Sequence, residues 1–243
     1  MPKAPKVLKV KDEDPNEKFS DIHPNLPQMP SLCLVIGSVR SGKSNLLVNM
    51  FCNPEFYKDK FDIVRIISTT MHTDHKGKIL AKHFDCSDHY EDSMIDDIKR
   101  SQSEYEDKSE RPTYALVMDD VLTKDFKKTN QVSFFATRFR HYIDFYIIAV
   151  QSFRAVAGMI RNNATDVIIC KQQNSKELSK IAEEYGDLVG GEENFLKLYE
   201  EAHKERYSFL YLKLSENPAQ AFLRFEKQIY PHVNTATEEE LEV

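Results

Sequence analysis

Apolar residues along this chain fall into short, nearly unbroken runs separated by stretches of helical periodicity. Residues 32–36 form the first run, which stops at Gly37, and a helix is predicted to start near Lys43 and continue to about Phe51. Further strands are expected at 62–68, 114–118, 145–150 and 166–170. Helices are expected at 91–107, with Asp92 or Ser93 as N-cap and Met94, Ile95 and Ile98 on one face, and at 130–142. Two more follow, 175–185 capped by Ser175 and about 192–204. Residues 207–214 and 222–229 alternate weakly and read as a terminal strand pair, with Asn217-Pro218 in the turn. Strands apolar at every position are buried on both faces, so the pattern predicts an α/β fold with a mostly parallel sheet and helices on both faces.

The two ends differ from this body. Residues 1–30 carry six prolines mixed with charge, which defeats both helix and central strand and predicts an extended arm. A solvated tail and an arm docked on a neighbouring subunit both fit. Residues 232–243 are polar and acidic and read as a flexible tail, which leaves 31–231 as one folded domain.

At 243 residues the chain has ample material for a core. No run approaches the roughly 20 apolar residues that span a bilayer, and no apolar stretch follows Lys3 and Lys6, so neither a membrane span nor a secretory signal is expected. The formal net charge of −6 argues against nucleic-acid binding by the whole surface. A channel protein, however, needs basic groups only where the strand passes. Cys33, Cys52, Cys86 and Cys170 are scattered, and two lie in strand-like runs, which suits reduced thiols in a cytosol-like compartment.

Candidate chemistry begins at 37–44, Gly-Ser-Val-Arg-Ser-Gly-Lys-Ser, which fits G-x-x-x-x-G-K-[ST] at every position. Gly37 and Gly42 let the backbone curl so that the N–H groups of Ser38, Val39, Arg40 and Ser41 point at phosphate oxygens. Lys43 brings a positive charge to the β and γ phosphates, and the Ser44 hydroxyl ligates Mg²⁺. The helix opening there adds its positive end, and Asn45 falls in its first turn. ATP and Mg²⁺ are therefore the expected ligands.

The run 114–118 delivers Asp119-Asp120 at its carboxyl end, the second half of such a site. Asp119 would hold Mg²⁺ through water, and Asp120 would polarise the attacking water. The run 145–150 ends at Gln151, which in an open α/β sheet faces the ligand and can orient water or sense the γ-phosphate. Arg138 and Arg140 close the preceding helix. They either complement its dipole or reach the γ-phosphate of an adjacent subunit.

The order of these features resembles the FtsK–HerA superfamily of DNA-translocating ATPases. The resemblance is carried by the glycine-rich loop, Asp119-Asp120, Arg140-His141, Gln151 and Ile160-Arg161-Asn162-Asn163. Within the superfamily the layout is most similar to the small genome-packaging ATPases of poxviruses, other large DNA viruses and virophages, over about residues 32–230. The resemblance implies a RecA-like core, a ring homo-oligomer (hexamer or pentamer), double-stranded DNA in its pore, and capsid or portal-vertex partners. It also implies a place in the virion or in the virus factory of the host cytoplasm. It casts Lys43, Asp119, Asp120 and Gln151 as catalytic, and makes Arg140 the better candidate for a finger acting between subunits. Many members carry Glu where Asp120 stands, one methylene longer.

Weaker signals remain. Lys124, Lys127 and Lys128 follow the acidic pair, Arg154 and Arg161 flank the segment after Gln151, and both sets could reach DNA phosphates in a pore. His72, His75, His83, Cys86 and His89 have metal-like intervals, but no C-x-x-C anchors them and scattered polar residues are the simpler reading. Two other classes share the phosphate loop, a P-loop kinase and a nucleotide-dependent switch that does not act on DNA.

Overall fold

The computed structural model describes residues 17–71, 73, 75–121 and 130–231. A nine-stranded sheet runs through them in the order β3-β2-β4-β5-β1-β6-β7-β8-β9. Its strands are β1 (Ser31–Ile36), β2 (Ile63–Ser68), β3 (Asp85–Ser87), β4 (Tyr114–Asp119), β5 (Phe145–Val150), β6 (Asp166–Cys170), β7 (Phe209–Lys213), β8 (Gln220–Leu223) and β9 (Lys227–Tyr230). Strands β1 to β6 are parallel, and β7 to β9 continue the sheet antiparallel. The helices are α1 (Lys43–Cys52), α2 (His75–Leu80), α3 (Asp92–Ser103), α4 (Asn130–Arg138), α5 (Gly158–Arg161), α6 (Ser175–Tyr185) and α7 (Glu192–Ala202). None of the described helices is long and apolar enough to cross a membrane.

Strand alternation splits the core into two layers. Leu32, Leu34, Ile36, Leu116, Met118, Tyr146, Ile148, Val167 and Ile169 face one side, where Ile95 and Ile98 of α3, Phe135 of α4, Ile181 of α6 and Phe195 of α7 meet them. Cys33, Val35, Ala115, Val117, Phe145, Ile147 and Ile168 face the other, under Leu46, Leu47, Met50 and Phe51 of α1. Every residue of β1, β4, β5 and β6 is buried, which is why these strands read as continuous apolar runs. Cys33 and Cys170 are buried in β1 and β6, and all four cysteines are free thiols.

Local differences from the sequence reading have physical causes. The run 222–229 is not one strand. Arg224 takes a left-handed backbone (φ 53°), which turns the chain between β8 and β9 and lets Phe225 pack on Phe209, Tyr211 and Phe56. The expected pair is thus three strands, β7 to β9. Helix α6 is capped by Asn174, whose side chain accepts from the Lys176 N–H, rather than by Ser175. The N-cap of α3 is Glu91, and that helix ends at Ser103 rather than at residue 107. The 130–142 helix gives way after Arg138 to a 3-10 turn, Phe139–His141. The short β3, α2 and α5 carry too little pattern to be read.

Residues 17–30 of the proline-rich segment form no regular structure beyond a 3-10 turn, Glu17–Phe19, and they lie against the domain itself. Phe19, Ile22 and Leu26 are buried in the α1-side layer. Tyr57 Oη donates to Pro27 O at 2.9 Å, and Lys213 Nζ donates to Pro24 O at 3.0 Å.

A buried polar cluster ties three strands at the end of the sheet opposite the strands' carboxyl termini. Asp166 of β6 accepts from Ser31 Oγ (2.7 Å) of β1, Thr165 Oγ1 (2.7 Å) and Tyr211 Oη (2.5 Å) of β7. Burial raises its pKa from the ordinary carboxylate value, with the three donors pulling the other way. Tyr211→Phe would strand one carboxylate oxygen in the interior, at a cost of roughly 1–3 kcal/mol. The variant is expected to unfold at lower urea concentration with an unchanged dependence on denaturant; a midpoint equal to wild type would show the cluster to be energetically neutral.

Candidate functional site

Parallel strands in register end at one level, so the residues that follow them gather along one edge. Ser68 of β2 pairs with Asp119 of β4, and Asp119 pairs with Ala149 of β5. Ile36 of β1 lies between Val150 of β5 and Ile169 of β6. The chain changes direction here, with β1 joined through α1 to β2 on one side while β6 lies on the other. A crevice at that point is where open α/β sheets bind ligands.

The loop after β1 is locked to both neighbours. Gly37 N–H donates to Val150 O at 3.0 Å, and Ser38 N–H donates to Lys171 O at 3.2 Å. A Cβ on Gly37 would lie 2.4 Å from Ser41 Oγ and 2.6 Å from Cys170 Cβ, so only glycine fits. Gly42 caps α1 with φ 112°, a left-handed backbone, and offers no side-chain acceptor to the first turn. The opening N–H groups of α1 therefore retain the anion-binding capacity of a helix N-terminus.

Lys43 is the chemical centre. It is 6% exposed, its Nζ donates to Gly37 O at 2.7 Å, and Asp120 Oδ1 lies 4.0 Å away. Asp120 follows β4 with φ 53°, a conformation that Asp tolerates better than most residues, and its N–H donates to Ala149 O at 2.9 Å. Gln151 Nε2 donates to Asp120 Oδ2 at 2.8 Å. The other oxygen of that carboxylate, Oδ1, is buried and accepts no hydrogen bond within the protein, which leaves an acceptor for a bound molecule. Asp119 is buried beside it and accepts from Ser68 Oγ at 3.0 Å.

Ser44, Ser68, Thr70 and Asp119 line a small recess together with Leu47, Ile66, Met71, Gly77 and Leu80. The one carboxylate and three hydroxyls among these are hard-oxygen donors, the type that Mg²⁺ takes. Among the described residues no group of three or more His, Cys, Asp or Glu is arranged to hold a metal.

A cavity of about 890 Å³ opens over the loop, bounded by Ser38 to Ser44, Asp120 and Gln151, within the range of nucleotide-sized pockets. The segment 203–207 also lines it. Lys171 and Gln173, after β6, complete the rim, and Gln173 N–H donates to Ser38 Oγ at 2.9 Å.

The remaining sequence candidates divide. Ser38, Val39, Arg40 and Ser41 line the cavity, whereas Asn45 is exposed on α1 and does not. Arg140 is exposed in the turn before β5, at the opposite end of the sheet from Gln151, so it takes no part in its own chain's site. Arg154 is held by the buried Glu177 (Nε to Oε1, 2.9 Å), which also accepts from Ser152 Oγ at 3.1 Å. Arg161 pairs with Glu184 at 3.4 Å and stacks on Phe153. Lys124, Lys127 and Lys128 lie outside the described residues. Ser68 and Lys171 were not read as site residues, although a polar residue ending a buried strand is the same signal that marked Asp119. Nothing local marks 203–207.

No family model matches the chain. A sequence relative, the uncharacterized protein 088R of Invertebrate iridescent virus 3, is 24% identical over 204 residues, covering 82% of this chain and 71% of that protein. Among solved structures, the genome packaging NTPase B204 of Sulfolobus turreted icosahedral virus 2 in complex with sulfate superposes with a TM-score of 0.55. It is 14% identical, and the match covers 79% of this chain and 95% of that one. The same NTPase in complex with ATP-γS gives 0.53 at 15% identity over 80% and 98% of the two chains. B204 of Sulfolobus turreted icosahedral virus, a DNA-packaging ATPase, gives 0.55 at 16% over 79% and 96%. This chain has the fold of the viral genome-packaging NTPases.

Proposed function

We propose that the protein is an ATPase that drives double-stranded DNA into a viral capsid, working as a ring of identical subunits. The observation that carries this reading is the convergence of Lys43, Asp120 and Gln151 over the phosphate loop, on the fold of packaging NTPases. In this mechanism the loop amides of residues 38–44 and Lys43 hold the triphosphate, and Ser44 with Asp119 holds Mg²⁺. Bound Mg²⁺ would offset charge on the β and γ phosphates. Asp120 would orient the attacking water through its unpartnered oxygen and take up its proton, while Gln151, which fixes the other oxygen, would stand beside the γ-phosphate. That grip matters because Asp120 is a short carboxylate whose reach is set entirely by the backbone after β4.

The position of Arg140 supports a shared site. Six residues of strand, roughly 20 Å, separate it from the carboxyl edge of its own sheet, so its partner phosphate would belong to the next subunit. Lys124, Lys127 and Lys128 follow Asp120 in the sequence and are the proposed contacts to the DNA backbone. Capsid or portal-vertex proteins would seat the ring, in the virion or in the virus factory of the host cytoplasm. Proposed domain limits are those of the sequence reading, 31–231 for the motor with residues 1–30 and 232–243 as extensions. A carboxylate braced to activate water favours hydrolysis over the kinase and switch alternatives.

Two outcomes are expected. Lys43→Ala and Arg140→Ala should each lower phosphate release, the second by roughly 10³-fold or more if it acts as a finger. A mixture of the two variants should regain activity, because an Arg140→Ala site beside a Lys43→Ala subunit has both halves. No recovery on mixing, in rings shown to exchange subunits, would place Arg140 outside the reaction. Duplex DNA should stimulate hydrolysis in a salt-dependent manner, and changing Lys124, Lys127 and Lys128 together to Gln should remove that stimulation while leaving the basal rate. Hydrolysis indifferent to DNA in the wild type would count against a translocase; phosphate appearing on an added acceptor instead of in water would point to a kinase.

A further inference from the structure

The cavity over the loop is also lined by Arg206 and Tyr207, between α7 and β7. Tyr207 has three unusual features together. Its backbone is left-handed, with φ 64°, a conformation rarely adopted by aromatic residues and costly to hold. Its side chain lies against the loop, since a Cβ at Gly42 would be 3.7 Å from both Cβ and Cδ1 of Tyr207. The residue is 56% exposed although it lines a pocket. The Arg206 guanidinium sits over one face of the ring, 4.6 Å from its centroid. Register explains how the segment arrives there, because Phe209 pairs with Cys170 at the carboxyl end of β6, beside the loop.

We propose that Tyr207, with Arg206 over one face of its ring, is the platform on which the base of the bound nucleoside triphosphate stacks. This rests on the reading of residues 37–44 as the triphosphate cradle and adds the seat for the other end of the molecule. A planar, exposed ring next to the phosphate site offers a base a π-face, and the left-handed Tyr207 backbone is what presents it. Stacking accepts any base, so the seat provides affinity for nucleoside triphosphates as a class without reading hydrogen-bond donors.

The test separates the base from the phosphates. The chain has no tryptophan, so Tyr207→Trp creates a single fluorescent reporter. A non-hydrolysable ATP analogue should quench it, and inorganic tripolyphosphate should not. Tyr207→Gly removes the ring while glycine accepts the left-handed backbone, so the loop is expected to hold. By calorimetry that variant should bind the analogue about tenfold more weakly or worse, and tripolyphosphate within about twofold of wild type. Equal analogue affinity in Tyr207→Gly and wild type, an equal loss for both ligands, or a Tyr207→Trp fluorescence that the analogue leaves unchanged would each overturn the platform. Failure of the cradle is a different result: tripolyphosphate binding to wild type would then be absent or unaffected by Lys43→Ala.

Discussion

A buried ammonium next to a carboxylate governs this structure. Lys43 sits almost wholly out of solvent, and such a charge is tolerable only with hydrogen-bond acceptors and counter-charge in place. Gly37 O and Asp120 supply them, and Gln151 holds Asp120 in turn. These groups come from β1, β4 and β5 and from the start of α1, so the charge is satisfied only when the strands are level. The register of the parallel strands is thus as much a part of the site as its side chains.

That dependence explains how the rest of the molecule is built. The central strands are buried on both faces, which makes a register slip expensive because nothing polar can be turned outward without loss of core. At the end away from the site, Asp166 joins β1, β6 and β7 through Ser31, Thr165 and Tyr211. It therefore pins the same strands that carry the phosphate loop. The packed segment 17–30 covers the α1 side of the sheet through Phe19, Ile22 and Leu26, adding to the layer against which α1 rests.

The polar residues at the strand ends are arranged in two tiers. Asp119, Ser68 and Ser44 lie around a small recess on the β2 side, and Asp120 with Gln151 faces the larger cavity. Asp119 closes β4, and Asp120 after it takes a left-handed backbone. The two carboxylates thus border different spaces, Asp119 the recess and Asp120 the cavity.

The α/β class, and the strand ends at which residues 37–44, Asp119-Asp120 and Gln151 stand, were legible because each is a local pattern, a buried run that stops at a glycine or a polar residue. Residues 37–44 carry both glycines and the lysine of the pattern within one short stretch. Other features had no local signature. Ser68 matters because register puts it beside Asp119, and Arg140 proves remote from its own site because β5 runs the length of the sheet. Tyr207 reaches Gly42 from the far end of the domain's sequence through the antiparallel pairing of β6 with β7. Composition and short-range spacing therefore determined which chemistry the chain carries. Which residues share a cavity, and on which side of it each stands, was decided by strand order and register, because those are set by the packing of the whole sheet and by no single segment.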